Sequence, residues 1–328
     1  MTHRRLNLAA MLSVAMLVSA VAPAAAQDDP ASAAPESAAA TSVFAFIPGQ
    51  LANPSQAFSW KMLQQFAGDY GFEPIVLDGK GDIQEQTKAI NNAVAQKVSA
   101  IFVNPNDAQA IVPALTAARE AGVCVGISMA KAADGTEGSY DYWVSVDDVL
   151  GGETAAQAIL DAFPDGATGV EIGGQAGHPA AIDRHDGFTA GIEGKDITVL
   201  DYQNPQQWDT AQAQAIAEDM ITKYGDEIQF IFVHWDNGAT GVINALNARG
   251  GMEDVLIIGV DGNKTGFDQV TSWPNYISIA QNVETIMKKG FEEARLCVDG
   301  DAALTAENVI PFDVITKDTI DNFTAPEW

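Results

Sequence analysis

The stretch Phe230–Thr240, FIFVHWDNGAT, decides the fold. Four consecutive apolar residues, Phe230 to Val233, read as a strand buried on both faces, because a half-exposed strand would alternate. At His234 the pattern stops, and Trp235, Asp236 and Asn237 lead into a helical stretch, Ala239–Ala248. Core packing accounts for an indole at a strand end. It does not account for the carboxylate beside it, which is costly to bury unpaired. The pair reads as a mouth where something amphipathic is held.

The same unit recurs along the chain. Apolar runs at Val43–Ile47, Pro74–Leu77, Ala100–Val103, Val123–Ile127, Gly169–Ile172, Thr198–Tyr202, Val255–Gly259 and Tyr276–Ala280 predict further strands. Amphipathic stretches at Ile83–Gln96, Ile111–Ala121, Ala155–Ala162, Ala211–Tyr224 and a helix from Pro179 to Ile192 fall between them. Continuous apolar strands alternating with helices imply parallel sheets covered on both faces, and these are too many strands for one small sheet. The expected fold is α/β, two doubly wound lobes. Three segments read as crossings between them: Trp143–Asp148, the run around Ala280–Asn282, and Val309–Pro311. One lobe then takes residues 42–146 and 282–310, the other 147–281 and 311–328. Ligands of such sheets bind beyond the carboxyl ends of the strands, so the residues just after each strand carry the function.

Charge narrows the partners. With 44 acidic and 17 basic side chains the net charge is −27, which repels polyphosphates and anionic membrane surfaces. Arg4 and Arg5, the apolar run Leu6–Val21 and Ala24–Ala26 read as a secretory signal ending at residue 26, followed by an Ala/Pro/Ser-rich disordered leader over 27–41. The expected location is the periplasm. Cys124 lies in an apolar run and reads as a small core residue; its distance in sequence from Cys297 does not settle whether the two are bridged. His178 and His185 have no third ligand at a convincing spacing, so no metal site is expected, and no cofactor. No GxSxG elbow, Walker loop or nucleophile–base pair is present, which leaves a secreted α/β enzyme as a remote reading.

Four strings carry a family resemblance: ANP at Ala52–Pro54, DDVLGG at Asp147–Gly152, GQAGHPAAIDRHDGF at Gly174–Phe188, and IGVDG with IAQ at Ile258–Gly262 and Ile279–Gln281. With VNPND at Val103–Asp107 they resemble the periplasmic ribose/galactose-type sugar-binding proteins of ABC importers, from Val43 to near the C-terminus. The resemblance implies two Rossmann-like lobes of the type I periplasmic binding fold closing on a sugar. It places Asn53, Arg184, Asp261 and Gln281 on sugar oxygens, Trp208 as a stacking aromatic, and Trp235 where ribose binders carry an Asn. It also implies a membrane permease as partner; a sensor feeding a chemoreceptor is the alternative reading, and a monomer is expected.

The departures from the ribose pattern fall in the first lobe. Ser55-Gln56 stands where an aromatic pair follows Asn-Pro, and Met129-Ala130 where an Asp-Arg pair follows the fourth strand. Ribose itself is therefore not the expected ligand. A polyol, a cyclitol, another sugar or a furanosyl signalling molecule fits better. Gln56 is expected to replace a lost amide and Phe58 or Trp60 to add apolar surface. Asp236 either contacts ligand or fixes its neighbours. Trp208→Ala or Arg184→Ala is expected to weaken binding with the fold intact.

Overall fold

The structure is a computed structural model that describes residues 42–131, 133 and 135–328. The expected signal and leader, 1–41, lie outside the described residues. Two six-stranded sheets form the frame. The first contains β1 (Ser42–Ile47), β2 (Phe72–Val76), β3 (Ala100–Val103), β4 (Cys124–Ser128), β5 (Tyr142–Ser145) and β11 (Glu307–Val309), in the order β11-β5-β4-β3-β1-β2. The second contains β6 (Ala167–Ile172), β7 (Ile197–Gln203), β8 (Phe230–Val233), β9 (Leu256–Asp261), β10 (Tyr276–Ala280) and β12 (Asp313–Ile315), in the order β12-β10-β9-β8-β6-β7. Strand for strand the two orders are the same. Pairing is parallel throughout except for β12 on β10.

The central strands β3, β4, β8 and β9 are buried at every residue, as their apolar runs require. Helices cover both faces. On the first sheet these are α1 (Pro54–Phe66), α2 (Ile83–Ala95), α3 (Val112–Glu120) and α9 (Val283–Asp299). On the second they are α4 (Asp148–Ala162), α5 (Pro179–Ile192), α6 (Thr210–Tyr224), α7 (Asp236–Arg249) and α8 (Lys264–Ser272). The chain passes between the sheets from β5 to α4, from β10 to α9, and from β11 to β12. No helix among the described residues is long and apolar enough to cross a membrane.

Two expectations are corrected here. Tyr142–Ser145 is a strand in its own right, with the crossing confined to the residues after it. Cys124 is not a free core residue: it is disulfide-bonded to Cys297, pinning α9 to β4 inside the first lobe, with Cα atoms 6.1 Å apart. The reason is topological, since α9 returns to the first lobe and lays Cys297 over the start of β4.

Candidate functional site

A cavity of about 110 Å³ lies between the lobes at the carboxyl ends of the strands. Each wall follows from a strand end. Asn53, Ser55 and Gln56 come from the start of α1 after β1, Asn104 follows β3, and Met129 follows β4. From the second lobe come His178 and Arg184 on the β6–α5 unit, Trp208 and Thr210 after β7, and Trp235 and Asn237 after β8. Asp261 ends β9 and Gln281 follows β10.

Two indoles form the apolar side. Trp208 meets Trp235 edge to face, with centroids 5.4 Å apart and planes at 87°. Trp208 approaches the chain at Gly174 so closely that a Cβ there would lie 2.0 Å from the ring, so only glycine fits. His178 stands edge-on to the same indole at 5.2 Å, and the Arg184 guanidinium carbon lies 5.9 Å from its centroid. The latter is within cation–π range.

Arg184 is 3 % exposed. Its Nε donates to Asp148 Oδ1 at 2.8 Å and its Nη1 to the carbonyl of His234. Asp148 opens α4, and α4 packs against α5 through Gly152, whose Cβ would sit 2.1 Å from the Arg184 carbonyl. Gly152, the second glycine of DDVLGG, therefore lets the backbone carrying Arg184 come against the helix carrying its carboxylate. Burial pushes Asp148 up to about 6, with Arg184 pulling the other way.

Asp261 faces the cavity from a backbone at φ 130°, outside the regions non-glycine residues favour. Its Oδ1 accepts from Gln281 Nε2 at 3.0 Å. Burial first, and then the nearby Asp236 charge, push its carboxyl well above the usual carboxylate range. Asn53 caps α1, its Oδ1 accepting from Ser55 N at 3.0 Å. The Met129 sulfur lies 3.5 Å from Ser59 Oγ. Two buried polar atoms of the wall residues, Trp235 Nε1 and Gln281 Oε1, have no hydrogen-bond partner among the described residues. Buried polar groups are ordinarily paired, so a ligand with hydroxyl groups suits this cavity.

The lobes also meet each other directly. His178 Nδ1 accepts from Ala180 N, which leaves Nε2–H to donate to Asn104 Oδ1 at 3.2 Å. Burial, and then the Arg184 charge, push His178 down to about 3, so the ring is neutral. Gln175 Nε2 donates to the Asn106 carbonyl, and Ala108 N to the Gly177 carbonyl. The two histidines considered for a metal thus have separate partners, since His185 Nδ1 lies 2.9 Å from Glu171.

Eight of the nine residues named from sequence line this cavity: Asn53, Gln56, Met129, Arg184, Trp208, Trp235, Asp261 and Gln281. Asp236 does not. It is fully buried beneath the site, accepting from Gly262 N at 2.8 Å, Tyr276 Oη at 2.7 Å and Ser278 Oγ at 2.7 Å. At the first position of α7 its carboxylate turns into the β9–α8 junction, where three donors converge, and so it fixes the turn that carries Asp261. Phe58 is buried in the first-lobe core rather than on this cavity, and Trp60 packs on that same core. Asn104, His178, Thr210 and Asn237 also line the cavity, and each could have been found as a polar residue just after a strand. Trp328 lines it too, and nothing local in the sequence points to it.

Two parallel α/β lobes joined by three chain crossings, with a polar and aromatic cavity at the facing strand ends, define a two-lobed binding protein. The chain belongs to the periplasmic binding protein domain family, which matches residues 44–302. It is 31% identical over 244 residues to the ribose import binding protein RbsB of Bacillus subtilis (strain 168), covering 74% of this chain and 77% of that protein. It is 28% identical over 291 residues to the ribose import binding protein RbsB of Escherichia coli (strain K12), covering 89% and 94%. Among solved structures, the Caulobacter myo-inositol binding protein bound to myo-inositol matches with a TM-score of 0.80 at 22% identity, over 87% of this chain and 96% of that one.

Proposed function

We propose that this protein captures a small polyhydroxylated ligand, a sugar, polyol or cyclitol, between its lobes and presents the closed form to the permease of an ABC importer. The cavity carries the reading: an indole pair for the C–H faces of a ring, with Asn53, Asn104, Arg184, Asp261 and Gln281 around it for the hydroxyls. A ligand touching both lobes binds the closed state better than the open one and shifts the equilibrium towards it. These side chains bind and orient a ligand, and we read the role as binding rather than catalysis, as in the ribose import binding proteins. The N-terminal signal reading and the family's periplasmic relatives support a periplasmic location.

The departures in the first lobe bear on the choice of ligand. Met129 gives this side of the cavity a thioether in place of a charged fork, so ligands with fewer hydroxyls on that edge are favoured over ribose. A thermal-shift screen of residues 42–328 against pentoses, hexoses, pentitols, cyclitols and amino acids tests this. A ligand at a thousand times its Kd adds about 4 kcal/mol of stability. A shift confined to polyhydroxylated compounds is expected; a shift from amino acids alone would overturn the reading.

A further inference from the structure

The segment after β12 does not stay on the lobe where it begins. Ile320 and Phe323 pack on the core of the second lobe. Trp328 packs on the core of the first, where it stacks on Phe58 with centroids 5.7 Å apart and planes at 20°. Its neighbour Glu327 pairs with Lys61 of α1, also first lobe. A Trp328 main-chain oxygen then accepts from Lys264 N, at the start of α8 in the second lobe, at 2.7 Å. Within these few residues the chain touches both lobes and crosses the cleft a fourth time.

The indole also closes the site. Trp328 and Gln281 line both the cavity and a larger recess of about 490 Å³ beneath the same segment. Trp328 is thus part of what separates the two spaces. It stands on the first-lobe side, where Ser55-Gln56 leaves that lobe without an aromatic of its own at the start of α1.

We propose that Trp328 is a wall of the ligand cavity that limits ligand size, and that the segment from Phe323 to Trp328 ties the lobes together in the closed form. The wall rests on the ligand reading above; the tie does not. Both can be read in protein labelled with 5-fluorotryptophan, which gives one fluorine signal for each of the six tryptophans, with that of Trp328 assigned by Trp328→Phe. In sugar-free protein Phe58→Leu, which removes the ring but keeps apolar volume, is expected to move the Trp328 signal and leave that of Trp273, buried in the second lobe, in place. An unmoved Trp328 signal overturns the tie.

Titration with D-ribose, xylitol and myo-inositol follows. The signals of Trp208, Trp235 and Trp328 are expected to move together with one concentration dependence. Trp328→Ala is expected to weaken binding at least tenfold, and Trp328→Phe to restore it to within about threefold of wild type. Movement of Trp208 and Trp235 alone, with unchanged affinity in Trp328→Ala, overturns the wall. If none of the three compounds moves any signal, the wall falls with the ligand reading for these compounds, and the tie stands or falls on Phe58→Leu alone.

Discussion

Met129 and Asp261 occupy equivalent places in the two lobes, at the ends of β4 and β9, and both have positive φ, 58° and 130°. They line the same cavity from opposite sides. Strained backbone of this kind persists only where its surroundings hold it. For Asp261 the hold is visible: Asp236, Tyr276 and Ser278 lock the turn below it, and Gln281 N donates to its carbonyl at 2.9 Å. The same strand end thus presents a thioether in one lobe and a carboxylate in the other. The chemistry of the cleft is asymmetric although its frame is repeated.

Asp261 carries the clearest dependence on pH. Its carboxyl is pushed well above the ordinary 3.8, by burial and then by Asp236. The folded protein therefore holds this proton more tightly than the unfolded chain, and stability falls as pH rises from 3.8 through the folded-state value. Asp261→Asn keeps the shape and the acceptor for Gln281 but removes the charge. Its urea midpoint is expected to exceed wild type at pH 7.5, with the gap closing towards pH 4, while affinity for the ligand falls at least tenfold. Parallel midpoints at all pH values would show that the buried charge costs nothing.

Arg184 is not the clean binding variant that its place in the sequence suggests. Arg184 and Asp148 are each 3 % exposed and pair at 2.8 Å. Arg184→Ala leaves Asp148 buried and unpaired, a loss of about 3–5 kcal/mol by chemical denaturation. Adding Asp148→Asn removes the orphaned charge and is expected to recover most of that stability without recovering ligand affinity. Equal stability in the single and double variants would refute the pairing as the cause.

The strands were legible because buried parallel strands are continuous apolar runs; Ala100–Val103, Phe230–Val233 and Tyr276–Ala280 match end for end. The short pairs β11 and β12 were not, since three mostly exposed residues in each gain their order only from distant partners. The first turn of α4 was hidden by Gly151-Gly152, which lower helix propensity locally; Gly152 is needed for contact with α5 and Gly151 lies against Phe312. Of the eight wall residues, Asn53, Arg184, Trp208, Trp235, Asp261 and Gln281 were legible through the family resemblance and Gln56 and Met129 as departures from it. Asp236 follows a strand, and sequence alone does not tell which way a carboxylate turns. Trp328 and the Cys124–Cys297 bridge depend on contacts between distant parts of the chain, which no local pattern encodes.

Glu171 gives a second test by pH, with opposite sign. It is buried on β6 between His185 Nδ1 at 2.9 Å and His234 Nε2 at 2.9 Å. Burial raises its pKa, but the hydrogen bonds from the two histidines outweigh this and hold it below its ordinary 4.5. Its contribution is present above pH 4.5 and is lost as pH falls through the folded-state value. His185, raised chiefly by its bond to Glu171, contributes below 6.5 and loses that contribution as pH rises through its own folded-state value. Glu171→Gln is expected to lower the melting temperature most between these limits and least in strong acid. A uniform loss across pH 3–8 would assign Glu171 a packing role only.

The disulfide joins residues 173 apart in sequence, within one lobe and away from the cavity. Closing so long a loop restricts the unfolded chain, and about 2–4 kcal/mol is the usual stabilisation. Cys124 belongs to the first-lobe core and Cys297 packs against it, and alanine at each removes a single sulfur atom. The double variant Cys124→Ala, Cys297→Ala is therefore expected to unfold at lower urea by about that free energy. Its ligand affinity is expected to stay within about twofold of wild type, because the bridge lies away from the cavity that Met129 and Gln281 line. Loss of affinity in a folded double variant would show instead that the bridge sets the position of α9 and, through it, the hinge residue Gln281 that immediately precedes that helix.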